Sequence, residues 1–433
     1  MSITSTKLFF EKKRQTIYKQ NNACGENLIR RKYENTKEEN MSNEMNTVNA
    51  VTDQFRAKTY NIPIKNRKKD GHIVLGIDIG YSGPKIISPG RAVSFPAYAR
   101  KTDTSRLSFR EPQDTDIYIR DESGTWAVGE LAYDEIGMSD ETDISSQLYD
   151  RAWYTSPTYR TLVKASLGAG LVETRDFKPK TDDIIHVQTG LPPKYLDDAE
   201  DVKEVFAGVH EFDMKVGKNN WESYRFKIEP QNVGVMSQPL GSLMAVCLDK
   251  NGAPLPAARY YFSHIGEVND FGFVTTDHTR LYKGRCDTDN TITIINHAMH
   301  EILQRTCDTI REEYKVSLQV SELQTKLRTG TFYILDRKQM RRKSVSFEKI
   351  IVERSREVCE ETFEALMSAC NYWQDTEFIV WTGGTYMLWK DYFEDRLKDM
   401  GIMSVPGNIN IPDLPLNFAN AWGFQQYRNS QIR

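Results

Sequence analysis

Apolar and polar positions follow a regular pattern from residue 71 onwards, and this pattern predicts a mixed α/β fold. The run HIVLGIDIG, residues 72–80, has the composition of a buried strand, and a second run of this kind covers residues 182–191. Helical periodicity alternates with the strand patterns. The predicted helices cover 156–172, a segment from about 241, 291–314, 346–373, 386–400 and 417–428.

One larger unit occurs twice along the chain. A strand, a turn with aspartate, glycine and hydroxyl side chains, and a second strand are predicted near residue 78 and again near residue 270. No repeat with a period of about 20 to 50 residues is found, which argues against a solenoid or a propeller. The pattern therefore predicts two similar loops in distant parts of the chain.

The first 70 residues differ from the rest in charge and composition. They hold 15 Lys and Arg against 8 Asp and Glu, whereas the complete chain has a formal net charge of −3. Their polar, Asn-rich sequence lacks the apolar residues that would offset the entropy lost on ordering. We expect residues 1–70 to form a basic, mostly disordered arm, in which Met41 is an alternative start of the protein.

Overall composition is that of a soluble protein. Hydrophobic residues make up 39% of the chain, and no apolar run approaches the roughly 18 residues that span a bilayer. The arm has no apolar segment followed by a small-residue cleavage site, as a secretory signal has. Six cysteines without a CxxC pair fit a reducing compartment. We therefore expect a cytoplasmic protein with no membrane contact.

The turn after the first strand contains side chains that suit phosphate. Asp78, Gly80, Ser82, Gly83 and Lys85 lie close together in sequence. Glycines let backbone amides approach phosphate oxygens, serine and lysine add a donor and a positive charge, and an aspartate can hold hydrated Mg²⁺. The pattern matches neither the Walker motif nor the dinucleotide fingerprint. A plain hairpin with an exposed lysine is the alternative.

Two later segments repeat parts of this chemistry. Residues 270–277, Asp-Phe-Gly-Phe-Val-Thr-Thr-Asp, combine carboxylates, glycine and hydroxyl groups, and a β-turn capped by Asp and Thr is the alternative. Residues 382–385, Thr-Gly-Gly-Thr, follow the apolar run FIVW and precede a helical pattern. A glycine turn at a helix N-terminus lets a nucleotide lie against backbone amides, although such turns also serve packing.

The order of these three loops resembles that of the actin-like nucleotide-binding superfamily. The likeness is strongest to the bacterial plasmid-segregation proteins of the ParM and Alp type. Six segments carry it, and together they span about residues 71 to 427. They are the phosphate loops at 74–85 and 270–277, VQTGLP at 187–192, MSQPLGSL at 236–243, WTGGTYML at 381–388 and NFANAWGFQQY at 417–427.

The resemblance implies a fold and a division of the chain. The fold would be an α/β, actin-like (ribonuclease H-like) fold with two lobes and a nucleotide cleft between them. Residues 71–245 would form the first lobe, to which residues 405–433 return. Residues 246–404 would form the second lobe.

The resemblance also implies roles for individual residues. Gln238, Asp270 and Asp277 would be catalytic, with Gln238 orienting the attacking water. Asp78 and Asp270 would hold Mg²⁺, and the nucleotide would be ATP or GTP. Phosphoryl transfer needs mainly positioning and charge neutralisation, which these groups supply. The implied nucleotide-binding residues are Asp78, Gly80, Ser82, Gly83, Lys85, Gly272, Thr275, Gly383, Gly384 and Thr385.

The sequence departs from the family's pattern beside the second phosphate loop. Glu267 and Asn269 interrupt the apolar strand before Asp270. Phe271 and Phe273 are bulkier than usual near a phosphate. These departures concern nucleotide choice and hydrolysis more than binding.

The function implied is that of a filament-forming ATPase or GTPase that drives plasmid or DNA segregation. The alternatives are a small-molecule kinase or a non-polymerising ATPase on the same fold. A kinase needs an additional substrate lobe with a catalytic aspartate, for which we find no separate motif. A chaperone would need a peptide-binding domain after residue 385, where too little chain remains.

The partners implied are further copies of the chain and a DNA-bound adaptor protein. Direct DNA contact by the basic arm is a weaker alternative, because charged tails are usually solvated. A second basic run, DRKQMRRKSVSFEK at residues 336–349, is expected to be an exposed loop, with a filament contact as the alternative.

Overall fold

The computed structural model describes residues 51–66, 69–102, 111–136, 151–336 and 341–432. Within these ranges the strands are β1 (Tyr60–Pro63), β2 (His72–Gly80), β3 (Gly83–Ile87), β4 (Arg91–Ser94), β5 (Ala99–Lys101), β6 (Ile117–Asp121), β7 (Gly124–Val128), β8 (Ile184–Leu191), β9 (Gly208–Val216), β10 (Glu222–Ile228), β11 (Val233–Ser237), β12 (Ile265–Phe271), β13 (Thr275–Tyr282), β14 (Arg285–Ile295), β15 (Thr331–Asp336), β16 (Arg341–Ser346), β17 (Phe378–Thr382) and β18 (Met403–Pro406).

Helices connect and cover these strands. In the same ranges they are α1 (Glu130–Ile136), α2 (Pro157–Leu171), α3 (Ala199–Phe206), α4 (Gln238–Cys247), α5 (Ala258–Tyr261), α6 (Met299–Tyr314), α7 (Val320–Lys326), α8 (Glu348–Ala369), α9 (Tyr386–Leu397) and α10 (Ala419–Gln431). No helix among them is both long enough and apolar enough to cross a membrane. The predicted mixed α/β composition is confirmed.

Two of the sheets have the same internal arrangement. The first sheet has the order β1-β4-β3-β2-β8-β11, and the third has the order β14-β13-β12-β17-β18. In the first, β2 pairs antiparallel with β3 and parallel with β8. In the third, β12 pairs antiparallel with β13 and parallel with β17. The predicted recurrence of a strand–turn–strand unit is confirmed, and each copy stands at the centre of its own sheet.

Separate hydrophobic cores support these sheets. The second sheet, β10-β9-β6-β7-β5, is wholly antiparallel and shares a core with the first sheet and α2. We call this the first core. A second core lies between the third sheet and the helices α6, α7, α8 and α9. Each phosphate-loop candidate is thus anchored in a different core.

Helices α4 and α10 pack closely against each other. A Cβ atom on Gly423 of α10 would lie 1.7 Å from the carbonyl oxygen of Gly241 in α4, so a side chain there would push the helices apart. Helix α10 also contacts β2 and β8, and α4 also contacts β12 and β17. The helix pair therefore joins the first sheet to the third.

Strand β12 is buried from Gly266 to Phe271 although it contains polar residues. Glu267 accepts hydrogen bonds from Trp373 Nε1 at 2.7 Å and from Thr376 Oγ1 at 2.8 Å. Asn269 Oδ1 lies 2.9 Å from Nδ1 of His278. Burial raises the pKa of Glu267, and it lowers that of His278 to about 4, so the His278 ring is neutral at pH 7. The polar residues that interrupt the apolar pattern are thus accommodated by partners from β13 and the segment after α8.

The sequence pattern predicts one continuous helix over residues 291–314, but the structure contains the end of a strand and a shorter helix there. Residues 291–295 belong to β14, where Thr293 pairs with Asp277 of β13, and the helix begins only at Met299. The residues Thr-Ile-Thr-Ile-Ile are β-branched, which favours a strand over a helix. The apolar run before the helix was therefore wrongly assigned.

Part of the predicted disordered arm belongs to the fold. Residues 1–50 lie outside the described residues, but Val51–Phe55 forms a 3₁₀ turn and Tyr60–Pro63 pairs with Arg91–Ser94 at the edge of the first sheet. Phe55 is buried in the second core, and Tyr60 packs near Phe418. The predicted boundary at residue 70 is corrected, because these apolar side chains find partners far away in sequence.

The basic run at 336–349 is also more ordered than predicted. Its described part is mostly strand and helix, since Arg341–Ser346 forms β16 and pairs antiparallel with Thr331–Asp336. Residues 337–340 of this run lie outside the described residues. The expected exposed loop is therefore largely a β-hairpin, and several of its side chains, including Arg341 and Lys343, are exposed.

Candidate functional site

The two recurring hairpins face one cavity of about 410 Å³. In the first hairpin Asp78 lies opposite Lys85, and in the second Asp270 lies opposite Asp277. Directly opposite residues of an antiparallel pair share one face, so each pair points to the same side of its sheet. The cavity is lined by every residue that the sequence predicts for the site: Asp78, Gly80, Ser82, Gly83, Lys85, Gln238, Asp270, Gly272, Thr275, Asp277, Gly383, Gly384 and Thr385.

Lys85 brings a positive charge into the cavity wall. Its Nζ atom donates a hydrogen bond to Ser82 Oγ at 2.7 Å, across the turn of the first hairpin. Burial lowers the pKa of Lys85, while the carboxylates of Asp78 and Asp270 act in the opposite direction. The ammonium group and the serine hydroxyl therefore form one compact donor pair at the turn.

Asp270 is a buried acid that is influenced by two others, Asp78 and Asp277. Burial raises its pKa to about 7, and the negative charges of Asp78 and Asp277 add to this increase. Asn420 Nδ2 donates a hydrogen bond to Asp270 Oδ2 at 2.7 Å, which favours the ionised carboxylate and limits the rise. The result is a buried carboxyl group that changes its charge near neutral pH.

Asp277 has a different environment, because hydroxyl groups occupy both of its oxygens. Thr275 Oγ1 donates to Oδ2 at 3.1 Å, and Thr293 Oγ1 donates to Oδ1 at 2.6 Å. Burial raises the pKa of Asp277 to about 6, and the two hydroxyl groups oppose the rise. These bonds fix the carboxylate and Thr275 relative to each other, which shapes the turn of the second hairpin.

The charges around the cavity suit a divalent cation. Three buried carboxyl groups, those of Asp78, Asp270 and Asp277, stand near one ammonium group, and burial raises the pKa of each acid. A bound cation would offset this excess of negative charge. Mg²⁺ prefers carboxylate oxygens together with water, so Asp78 and Asp270 fit it as ligands.

Gln238 approaches the same group of acids from α4. It is the first residue of that helix, directly after β11, and its side chain is buried. Its Nε2 atom donates a hydrogen bond to Asp78 Oδ1 at 2.7 Å. This bond holds the side-chain amide of Gln238 against the first hairpin, where the amide can also bind water.

The third predicted loop closes the cavity beside the second hairpin. Gly383 has a φ of +91°, and a Cβ atom there would lie 2.1 Å from the carbonyl oxygen of Phe271. Thr385 Oγ1 donates a hydrogen bond to the carbonyl oxygen of Gly272 at 2.7 Å. At Gly384 a Cβ atom would meet nothing within 4 Å. A hydrogen bond therefore holds this turn to the second hairpin, and there is free space beside Gly384.

The bulky residues of the second hairpin have different positions. Phe271 is fully buried and its ring contacts Trp381, Tyr386 and Trp389 in the second core. Phe273 lines the cavity. Only one of the two phenylalanines is therefore near the space where a phosphate was expected.

Some cavity residues were not assigned a role from the sequence. Asn420 lies in the segment 417–427, which resembles the family's pattern, but nothing in that pattern identifies the amide as a partner of Asp270. Residues 54–58 and Tyr60 also line the cavity, although they fall in the predicted arm. No local signal marks them, since their position depends on pairing with β4.

Comparison of the sequence with protein families gives one match. Residues 76–241 match the family described as "Actin like proteins N terminal domain". No curated protein matches the chain in sequence. The matched residues contain the turn of the first hairpin and Gln238.

Solved structures of actin-like proteins are among those with a similar fold. A non-polymerisable quadruple mutant of pCBH ParM is 17% identical, with a TM-score of 0.60, and the match covers 82% of this chain and 98% of that one. A subunit of a 15-stranded ParM filament from Clostridium botulinum is 18% identical, with a TM-score of 0.59 and coverage of 83% and 99%. An archaeal actin homologue in complex with ADP is 16% identical, with a TM-score of 0.55 and coverage of 82% and 98%. The predicted actin-like fold and the resemblance to the ParM and Alp type are confirmed.

Proposed function

We propose that this chain, which has an actin-like fold, binds ATP or GTP together with Mg²⁺, hydrolyses the nucleotide and assembles into filaments. One observation carries this proposal: the residues expected from the family's motifs, scattered from Asp78 to Thr385, line a single cavity. The ADP complex of the archaeal relative supports nucleotide as the ligand class.

The two hairpins hold the phosphate chain from opposite sides in this proposal. Lys85 and Ser82 donate to phosphate oxygens from the first hairpin, together with the backbone amides of its glycines. Gly272 and Thr275 do so from the second. Gly383 and Gly384 flank the nucleoside, because the open glycine turn lets its ring approach the backbone closely.

Hydrolysis requires a water molecule aligned with the terminal phosphate. Gln238 orients this water through its amide, and Asp270 accepts the proton. In the metal-free protein the pKa of this carboxyl group is about 7, and a neighbouring cation would favour its ionised form, which is the form that accepts a proton. Asp78 and Asp270 would hold Mg²⁺, which would supply charge neutralisation at the phosphates. Asp277 completes the group of acids and keeps Thr275 in place.

Filament formation rests on the structural relatives. One is a subunit of a multi-stranded filament and another is described as a non-polymerisable mutant. In our proposal nucleotide binding favours assembly and hydrolysis favours disassembly. The likeness to plasmid-segregation proteins adds a role in moving DNA in the cytoplasm, with a DNA-bound adaptor protein as the link.

Assembly and phosphate release test the proposal together. The full-length protein is mixed with Mg²⁺ and ATP, GTP or no nucleotide, and is followed by light scattering, pelleting and phosphate release. Asp270→Ala is the test variant, and Asp182→Ala, at an exposed position before β8, is the matched control. We expect assembly with nucleotide that reverses in the wild type and the control but persists in Asp270→Ala. Binding without assembly would favour a kinase or a non-polymerising ATPase instead.

A further inference from the structure

The segment Val51–Pro63 crosses the nucleotide cavity and is attached on both sides of it. We propose that this segment, which we call the clasp, holds the two sides of the cavity together and limits the rate at which nucleotide leaves. The inference rests on the proposed nucleotide binding. It concerns a part of the chain that precedes the family match, which begins at residue 76.

One end of the clasp is anchored in the second core. Phe55 is 3% exposed and packs among the residues of this core. Thr52 Oγ1 donates a hydrogen bond to the carbonyl oxygen of Leu327, just after α7, at 2.6 Å. The turn Val51–Phe55 also contacts α8. This end therefore follows any movement of the second core.

The other end is anchored in the first sheet. Tyr60–Pro63 extends that sheet by one strand through its pairing with β4. Ser94 Oγ donates a hydrogen bond to the carbonyl oxygen of Lys58 at 3.1 Å. Tyr60 and Ile62 pack against the apolar cluster that contains Ile87 and Phe418. This end therefore moves with the first sheet.

Charged groups connect the middle of the clasp to both sides. Glu130 of α1 accepts hydrogen bonds from Arg56 Nη1 at 3.3 Å and from the backbone N–H of Thr59 at 3.2 Å. Its other oxygen accepts from Arg328 Nη2 at 2.9 Å, and Arg328 follows α7. Asp53 pairs with Arg56 and with Lys58 inside the clasp. Glu130 of α1 thus binds both the clasp and Arg328, the residue that follows α7.

The position of the clasp explains why its release matters for the ligand. Residues 54–58 and Tyr60 form part of the cavity wall, so on this side the first sheet and the second core can separate only if one anchor of the clasp gives way. A ligand held between these two walls leaves faster when they separate, so its dissociation rate follows the population of the separated state. Variants that weaken either anchor should raise that population.

Nucleotide dissociation measures the proposed effect directly. The full-length protein is loaded with a fluorescent N-methylanthraniloyl derivative of ATP and Mg²⁺, and the dye is chased with excess ATP in a stopped-flow instrument. Phe55→Ala removes the core anchor. Glu130→Gln removes the negative charge that binds Arg56 and Arg328, and it changes no residue of either core. Leu366→Ala, a fully buried residue of the same core on α8, is the control for general loosening of that core.

We expect Phe55→Ala and Glu130→Gln to release the dye at least about fivefold faster than the wild type, and Leu366→Ala to release it at the wild-type rate. Equal rates in all four proteins, or an equal acceleration in Leu366→Ala, would overturn the clasp while leaving nucleotide binding established. If the wild type binds no nucleotide, the proposed function itself fails. Dye binding to the wild type is therefore recorded first, together with the circular dichroism of each variant.

Discussion

Asn420 donates a hydrogen bond to the carboxylate of Asp270 over 2.7 Å, although the two residues lie 150 positions apart in sequence. Both side chains are buried. The bond connects the C-terminal helix α10, which packs on the first sheet, to the central strand of the third sheet. It also favours the ionised form of an acid whose pKa burial raises to about 7. Asn420 is therefore a positioning residue for the proposed base.

Replacing Asn420 should change the pH dependence of hydrolysis. In Asn420→Ala the carboxylate of Asp270 loses a donor, so its pKa rises further and a higher pH is needed to ionise it. We expect the acidic limb of the phosphate-release profile to move to higher pH by about 1 unit, a typical effect of one hydrogen bond to a charged group. Asn429→Ala, near the other end of the same helix, is the control. A slower reaction with an unchanged midpoint would contradict the role of Asn420.

The raised pKa of Asp270 should also make stability depend on pH. The folded protein keeps a proton on Asp270 up to about pH 7, whereas the unfolded chain releases it near pH 3.8. The stability of the nucleotide-free protein therefore falls as the pH rises through this window.

Asp270→Asn should remove this loss of stability at high pH. We expect its free energy of unfolding in urea to exceed that of the wild type by about 1–2 kcal/mol at pH 7.5 and by much less at pH 5, since the amide stays neutral at both. Asp182→Asn, at an exposed position, should show no such difference. An equal gain at both pH values would mean that charge is not the cause.

The two glycines of the third loop should respond differently to alanine. Gly383 has a positive φ and its Cβ would overlap the Phe271 carbonyl, so Gly383→Ala should lose about 2–4 kcal/mol of stability. At Gly384 a methyl group meets no neighbour within 4 Å, so Gly384→Ala should keep its stability. Its methyl group would instead narrow the cavity and weaken nucleotide binding. Urea unfolding and dye titration separate the two effects, and equal loss of stability in both variants would refute this assignment.

Gln238 should affect hydrolysis more than binding. In Gln238→Ala the water loses its orienting amide, whereas the phosphate contacts of both hairpins remain. We expect phosphate release to slow by about 10²-fold, with a dissociation constant for the dye within about threefold of the wild type. Filaments formed with ATP should then persist for longer in pelleting assays. Gln231→Ala, at an exposed position before β11, is the control, and an unchanged hydrolysis rate in Gln238→Ala would rule out the proposed role.

The loops that form the cavity could be predicted because their signals are local. Aspartate, glycine and hydroxyl residues follow apolar strands within a few positions, and Thr382–Thr385 separates a strand from a helix. Backbone geometry requires such residues at tight turns. The order of the loops along the chain then identified the fold, which no single loop did.

Residues that depend on distant partners could not be predicted. Glu267 is buried because Trp373 and Thr376 donate to it, and neither partner can be identified from the strand's own sequence. Phe55 and Tyr60 lie in a polar segment with low apolar density, and only the second core and β4 give them partners. Residues 291–295 had a local signal, the β-branched side chains, but the adjoining helical periodicity outweighed it in our prediction.

The strand β1 has a further consequence for how the protein can be handled. It is four residues long, ends in a proline, and covers the otherwise open side of β4. Short edge strands with proline resist pairing with other molecules, because proline lacks the N–H group that such pairing needs. A shortened protein that begins after Pro63 would expose the backbone of Arg91–Ser94 along that side. Its aggregation in solution would then reflect a missing edge strand and would be easily mistaken for filament assembly.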